Sequence, residues 1–410
     1  MAPFRGERYA AVGRLSRLIA PPYDVIDPAE RARLAALDEH NIVHVMLPEA
    51  PPGRPADERY AWAAERLAAW RRSGVLTREP EPALYVLAQD FTLPTGERRR
   101  RRGAFAAVAA EGYDSRRIRP HEKTHAGPKA DRLALMQATA TNIESIFLIA
   151  PDADRALANA VAAVAQAGAP DATAELDGVG IRLWIVRGAA LSRFPLPDSP
   201  LYIADGHHRY ETASAYAREN PAADRVLALI VSAQDSGLAV LPTHRVIFGA
   251  GRELERLLTR WRQWFDVQPV PAGVDPVKHL AMLGRDRTAC LVADAKQMIA
   301  LILREGALPD RLPSLAHSTA ARDLDVTRIE SLVVKEILGA GTTTPIVRYV
   351  ADTREALDAV RRGGAAAAVL LNPTRVEQVF AVADAGDVMP PKSTYFVPKV
   401  PSGLVLRPLA

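Results

Sequence analysis

The residues with the most chemical potential stand together at Ile203-Ala204-Asp205-Gly206-His207-His208-Arg209. An apolar strand runs into Asp-Gly, where glycine permits a tight turn and a close backbone approach. A helix then opens with two histidines and an arginine. Helix N-termini present free N–H groups and a positive dipole end, which suit an anion. Arg209 adds a planar fork matched to phosphate oxygens. Asp205 is placed to hold Mg²⁺ or to fix a histidine tautomer. The plainer reading is a helix start with Asp205 as N-cap and the histidines on the surface.

A second signal is Pro120-His121-Glu122-Lys123-Thr124-His125, literally H-E-x-x-H. Zinc ligation by that motif needs both histidines on one face of an unbroken helix, with the glutamate as base. Pro120 precedes it, and Gly127-Pro128 follows closely. Proline disfavours helical backbone at the residue before it. No zinc site is therefore expected. Glu122 instead fits a general base, with His121, His125, Lys129 and Arg132 supplying positive charge for an anionic substrate. A solvated loop is the ordinary alternative.

Two further clusters can complete a phosphate site or be loop surface: Leu241-Pro242-Thr243-His244-Arg245, and Lys392-Ser393-Thr394-Tyr395 with Lys399. There is no G-x-x-x-x-G-K-[ST] loop, and no G-x-G-x-x-G follows a strand pattern, so a nucleotide would need another cradle. The five arginines Arg98–Arg102 offer a phosphate contact, but a charged hairpin edge that discourages strand pairing explains them more simply.

The elements that must position these residues alternate along the chain. A helix at 60–72 is followed by strands at 83–89 and 103–109, then an alanine-rich helix at 153–166. Strands at 181–186 and 200–204, the helix opening near His207 and a strand at 226–231 complete the middle. Beyond it the pattern gives helices at 252–264, 326–338, 353–362 and 374–384, and strands at 265–270, 288–293, 298–303, 345–350 and 366–371. Strands and helices alternating throughout predict an α/β, mixed α+β protein. The expected division is three regions, 1–112, 113–250 and 251–410, with the candidate site in the middle one.

A chain of 410 residues exceeds what one core usually organises. With 48% apolar and 24% charged residues it is no disordered chain. Fifty-two Lys and Arg against 48 Asp and Glu leave +4, too small a surplus to make nucleic acid the expected partner. The single cysteine, Cys290, excludes a disulfide framework and lies in an apolar run that suggests burial. The N-terminus carries no apolar leader, and no uncharged apolar stretch has spanning length, so a cytoplasmic protein with no membrane partner is expected.

The motifs Ala20-Pro21-Pro22-Tyr23-Asp24-Val25, Pro120-His121-Glu122, Gly127-Pro128-Lys129, Asp131-Arg132, Ala204-Asp205-Gly206-His207-His208-Arg209-Tyr210-Glu211-Thr212, Leu241-Pro242-Thr243-His244-Arg245 and Met389-Pro390-Pro391-Lys392-Ser393-Thr394 occur in order along nearly the whole chain. Together they resemble a bacterial family known as domain of unknown function 1015. The segment from His121-Glu122 to the Asp205–Arg209 turn is similar to the free-serine kinases of the ParB and sulfiredoxin-like superfamily. That resemblance implies a ParB/sulfiredoxin-like core flanked by two mixed α/β regions. It makes Glu122 the base that activates a substrate hydroxyl, and Asp205, His207, His208 and Arg209 the phosphate and metal cradle. His121, Lys129, Arg132, His244, Arg245 and Lys392 join as donor-binding residues.

The implied activity is phosphoryl transfer from ATP, ADP or pyrophosphate, with Mg²⁺, to a small hydroxyl substrate such as L-serine. Its partners are then that substrate and the phosphoryl donor. Two alternatives use the same residues: a ParB-like nucleotide-binding regulator or DNA-associated protein without turnover, and a phosphohydrolase or nuclease with water as acceptor. About 80 residues separate the two central motifs, an alanine-rich helix among them.

Overall fold

Runs of apolar residues long enough to be buried on both faces decide where the strands lie. A computed structural model of the chain describes residues 1–197, 200–249, 254–308, 317–339 and 346–409. The protein has a mixed α+β fold and forms two compact units. One comprises Met1–Pro120, Thr124–Ala239 and Pro398–Ala410; the other comprises His121–Lys123 and Val240–Val397.

The first unit is built on an eight-stranded mixed sheet. Its strands are Leu84–Thr92 (β1), Arg98–Ala109 (β2), Ile118–Arg119 (β3), Ile146–Ala150 (β4), Ala172–Leu176 (β5), Val179–Val186 (β6), Leu201–Asp205 (β7) and Arg225–Ser232 (β8). They are ordered β3-β7-β4-β8-β2-β1-β6-β5. The strand that ends at Asp205 is therefore an inner one, parallel to β3 and antiparallel to β4. Helices Arg59–Arg72 (α1), Ala126–Thr139 (α2), Ala156–Ala167 (α3) and His207–Glu219 (α4) accompany the sheet.

One sheet face carries Leu84, Val86, Ala104, Ile146, Leu148, Ile203 and Ile230, and α3 and α4 cover it through Leu157, Val161, Tyr210 and Ala213. Each fully buried Ile or Leu contributes roughly 1.5–3 kcal/mol. The alanine-rich α3 is thus a core helix, small enough in its side chains to lie close to the sheet. β4, which also falls between Glu122 and Asp205 in sequence, hydrogen-bonds directly to β7. The long intervening stretch is folded into the same sheet rather than looped away from it.

The C-terminal residues return to this unit. Ser402 bridges Ala20, Leu406 bridges Glu7, and Arg407 pairs with Asn142. The expected boundary at 112 is corrected by the sheet: β1 and β2, from the supposed first region, lie between β8 and β6. Both strands pair with strands from beyond residue 112, so residues 1–112 share one unit with the residues that follow.

The second unit holds a six-stranded antiparallel sheet. Its strands are His244–Phe248 (β9), Phe265–Pro269 (β10), Ala289–Ala293 (β11), Met298–Leu303 (β12), Ile346–Val350 (β13) and Ala367–Leu371 (β14), ordered β10-β12-β11-β14-β9-β13. Val246, Leu291, Ala300, Leu357, Val360 and Leu370 share its core. Cys290 is fully buried in β11, and burial pushes its thiol pKa up, so it packs as a small apolar residue. The helical stretch expected at 326–338 contains a π-helical segment, Glu330–Val334.

The expected region boundary at 250 and 251, the first residues of the helix expected at 252–264 and residue 345 of the expected strand lie outside the described residues. No helix among the described residues is long and apolar enough to cross a membrane.

Candidate functional site

In the first unit the site is organised by the end of β7. The register between β7 and β4 shifts after Ile203, which brings Asp205 opposite Phe147. Gly206 follows with φ +94° and caps α4. A Cβ at Gly206 would lie 3.1 Å from the Arg209 guanidinium. Positive φ and this close approach both demand glycine here. Gly206, not Asp205, occupies the N-cap position, and it makes no side-chain capping bond.

Asp205 is committed elsewhere. One carboxylate oxygen accepts from the Lys399 ammonium, and the other accepts from Nη2 of Arg209. Burial works to raise the Asp205 pKa, but the charges of Lys399 and Arg209 outweigh it and hold the carboxyl well below its usual range. Burial likewise opposes the Arg209 charge, while Asp205 and Glu144 hold it firmly protonated. Nη1 of Arg209 donates to the Ser145 carbonyl. The result is an ion cluster, one carboxylate between two cations, at a helix N-terminus.

The remaining first-unit residues brace this turn. His208 Nε2 accepts the backbone N–H of His125 at 2.8 Å, and the two rings stack at 6.0 Å. Burial first, and His125 second, lower the His208 pKa, in keeping with a neutral acceptor nitrogen. His207 is buried, and its charge when protonated favours ionised Asp205. Lys129 pairs with Glu211 at 2.9 Å, and Glu211 also accepts from the Thr124 hydroxyl at 2.7 Å.

Arg132 is buried. It donates to the Met46 carbonyl at 2.7 Å, pairs with Asp131 and Glu144, and lies 4.4 Å over the Tyr23 ring. Glu144 in turn accepts the Tyr23 N–H at 3.1 Å. Arg132 therefore ties the Pro22-Tyr23-Asp24 loop to the ion cluster through Glu144, which Arg209 also feels.

His121, Glu122 and Lys392 belong to the second unit. His121 Nε2 is 3.0 Å from the Thr394 hydroxyl, and its carbonyl accepts the Met389 N–H at 2.8 Å. The Glu122 carboxylate lies 3.5 Å from the Lys392 N–H, with Lys392 at φ +56°. His121 and Glu122 thus meet the Met389–Thr394 motif within the second unit, although the sequence offers only an irregular polar end there. The following helix begins at Ala126, so His121, Glu122 and His125 stand on irregular backbone rather than on one helical face.

His244 and Arg245 sit inside the second unit's sheet. Nε2 of His244 is 2.9 Å from the Thr353 hydroxyl, and Nδ1 accepts the Leu371 N–H at 3.2 Å. Arg245 bonds Glu330 at 3.1 Å and the Thr243 carbonyl. Both ring nitrogens of His244 are used within the core, which argues for a structural part. Burial and Arg245, opposed by Asp352, push its pKa down to about 4.

The unfolded chain takes up a proton near pH 6.5, whereas folded His244 resists until about pH 4. Stability from this residue is therefore present above pH 6.5 and is lost as pH falls towards 4, on the order of 2–3 kcal/mol. His244→Gln is expected to flatten that slope in urea unfolding measured from pH 7 to 4. An unchanged slope would sink the assignment.

The Mg²⁺ expectation does not fit the donors. Among the described residues no group of three His, Cys, Asp or Glu is placed to hold a metal. Asp205 is a single carboxylate whose two oxygens already accept from two cations.

Two residues matter more than the sequence indicates. Lys399 lies far along the chain, in a segment with no periodic signal. Arg101, fourth of a five-arginine run expected to be a solvated edge, is 1% exposed. The run is part of β2, in which Arg98 and Arg100 are exposed. Strand parity puts Arg101 on the face of Phe105 and Ala107, the signal that would have found it.

Comparison with known proteins gives a partial overlap with several solved structures. A conserved hypothetical protein from Pyrococcus furiosus is 14% identical, over 73% of this chain and 93% of its own, with TM-score 0.38. A free serine kinase in complex with AMP is 14% identical, over 72% and 87%, with TM-score 0.39. SbnI with a C-terminal truncation, from Staphylococcus aureus, is 14% identical, over 74% and 87%, also with TM-score 0.39. At such values the overlap carries no statement about chemistry here. No curated protein matches. The family described as protein of unknown function, DUF1015, matches residues 1–327, and the chain belongs to it.

Proposed function

We propose that the protein is a small-molecule phosphotransferase, moving a terminal phosphoryl group from a nucleotide or pyrophosphate donor to a hydroxyl substrate such as L-serine. The observation that carries this reading is the Asp205–Arg209 turn. A largely buried carboxylate there pairs with two cations, Lys399 and Arg209, beside the N-terminus of α4. Phosphoryl transfer rests on positioning and on positive charge around the moving group, with a carboxylate to orient the nucleophile. The sequence resemblance of the Pro120-His121-Glu122 and Asp205–Arg209 motifs to free-serine kinases supports the same assignment.

In this reading Glu122, the base that the sequence resemblance implies, accepts the proton of the substrate hydroxyl. The hydroxyl oxygen bonds to the terminal phosphorus as the bond from phosphorus to the bridging oxygen breaks. That oxygen keeps the electron pair on the departing phosphate. Arg209, Lys399 and the α4 N–H groups offset the charge on the transferred and departing groups, and His207 and His208 line the turn. Asp205 acts by holding the cations in place.

The test incubates the full chain with L-serine and, in turn, ATP, ADP and pyrophosphate, with and without added Mg²⁺. Phosphoserine is read by mass spectrometry. Nucleotide binding without product would favour a regulator, and phosphate release independent of any acceptor would favour a hydrolase. Either outcome overturns the transferase.

A further inference from the structure

Arg101 carries a charge in a place where charge is costly. It is buried against the Phe147 ring, its guanidinium 4.5 Å from the ring centre. Nη2 donates to the Gln89 side-chain carbonyl, but Nε and Nη1 have no hydrogen-bond partner among the described residues. Asp235 is spent on Arg102, at 4.0 Å, and on the Gly237 N–H, at 2.9 Å. Arg101 feels Asp235 and Asp205 only at a distance, and burial pushes its pKa down to about 9. At neutral pH it is therefore a buried cation with two idle donors. Such a group is strongly disfavoured unless a ligand completes it.

Its surroundings lead to the Asp205 turn. The Gln89 amide that accepts from Arg101 donates, through Nε2, to the Lys399 carbonyl at 2.9 Å. Lys399 then reaches Asp205 with its ammonium. Phe147, on which Arg101 lies, is the residue opposite Asp205 in the sheet. Arg101, Gln89, Lys399, Asp205 and Arg209 form one continuous polar chain, with three cations and one carboxylate. Gly237 packs directly against the Arg100 and Arg101 backbone, with no room for a Cβ.

We infer that Arg101 is an anion clamp that, together with Lys399, binds the phosphates of the ligand, Nε and Nη1 each donating to a separate oxygen. The ligand class is a phosphate anhydride, a nucleoside diphosphate or triphosphate or pyrophosphate itself. Guanidinium to phosphate is a charge-assisted pairing, and Nε–H and Nη1–H, which point to different sides of the guanidinium, each offer one such donor. This rests on the phosphotransferase reading for the choice of ligand, and its test needs no turnover.

Calorimetric titration with pyrophosphate and with ADP compares wild type, Arg101→Met and Arg98→Ala. Methionine keeps the apolar contact with Phe147 and removes charge and donors. Affinity for both probes is expected to fall about 10- to 100-fold in Arg101→Met, the loss typical of charge-assisted hydrogen bonds. Arg98→Ala should bind as wild type. Ligand-free Arg101→Met should melt no earlier than wild type, since removing an unpaired buried charge relieves the fold. If it does not fold, Arg101→Gln takes its place.

Wild-type affinity in the variant, or a wild type that binds neither probe, overturns the clamp. Phosphoserine formation measured in parallel separates the two claims. Full affinity and turnover in the variant would reject the clamp and leave the transferase. Lost affinity in the variant, with no phosphoserine from wild type, would do the reverse.

Discussion

Glu122→Gln is expected to lower phosphoserine formation by about 10²–10⁴-fold, the usual cost of losing a general base. Glutamine preserves the size of the side chain and its ability to face the Lys392 N–H, seen 3.5 Å from the carboxylate. What it loses is the capacity to take a proton. Donor affinity should therefore stay within a fewfold of wild type, so that kcat falls while the binding constant for ADP or pyrophosphate holds. Turnover and calorimetry on the same preparation check both halves. A fully active Glu122→Gln, with every acceptor tried, would remove the base from the mechanism and make a nucleotide-binding regulator the better account.

Asp205→Asn should have the largest effect on stability. The native carboxylate stands between Lys399 and Arg209, and both cations are largely buried with it. Removing one member of a buried charged group strands the others, which typically costs about 3–5 kcal/mol. The pH dependence carries the signature. Because the folded pKa is depressed, the stabilisation is present above the unfolded value near 3.8 and is lost as pH falls through the lower folded value. Urea unfolding of variant and wild type should therefore differ widely at pH 7 and converge in strong acid. A constant difference across that range would mean that the carboxylate's charge is not what holds the cluster.

The strand-to-helix turn at 201–219 was legible from residue types alone. An apolar run, a glycine and a helical stretch rich in polar residues specify local backbone, and local backbone follows from short-range sterics and hydrogen bonding. Burial of Cys290 and the strands at 226–231, 288–293 and 298–303 were legible for the same reason, since each apolar run must find cover. Period-two parity within β2 also held the place of Arg101, once the arginine run is read as strand rather than edge.

What the residues do to one another was decided only by tertiary structure. Lys399 meets Asp205 across 194 positions, and His121 meets Thr394 across 273. No periodicity or propensity records such a pairing, because it depends on which strands become neighbours and in what register. The same holds for the division into two units rather than three regions: β1 and β2 are inner strands of a sheet completed by residues beyond 112. It holds also for His244, which the sequence leaves open to a phosphate and the sheet turns inward, to Thr353 and Leu371. Local sequence fixed the shape of each piece, while the cost of burying charge without a partner selected which pieces had to meet.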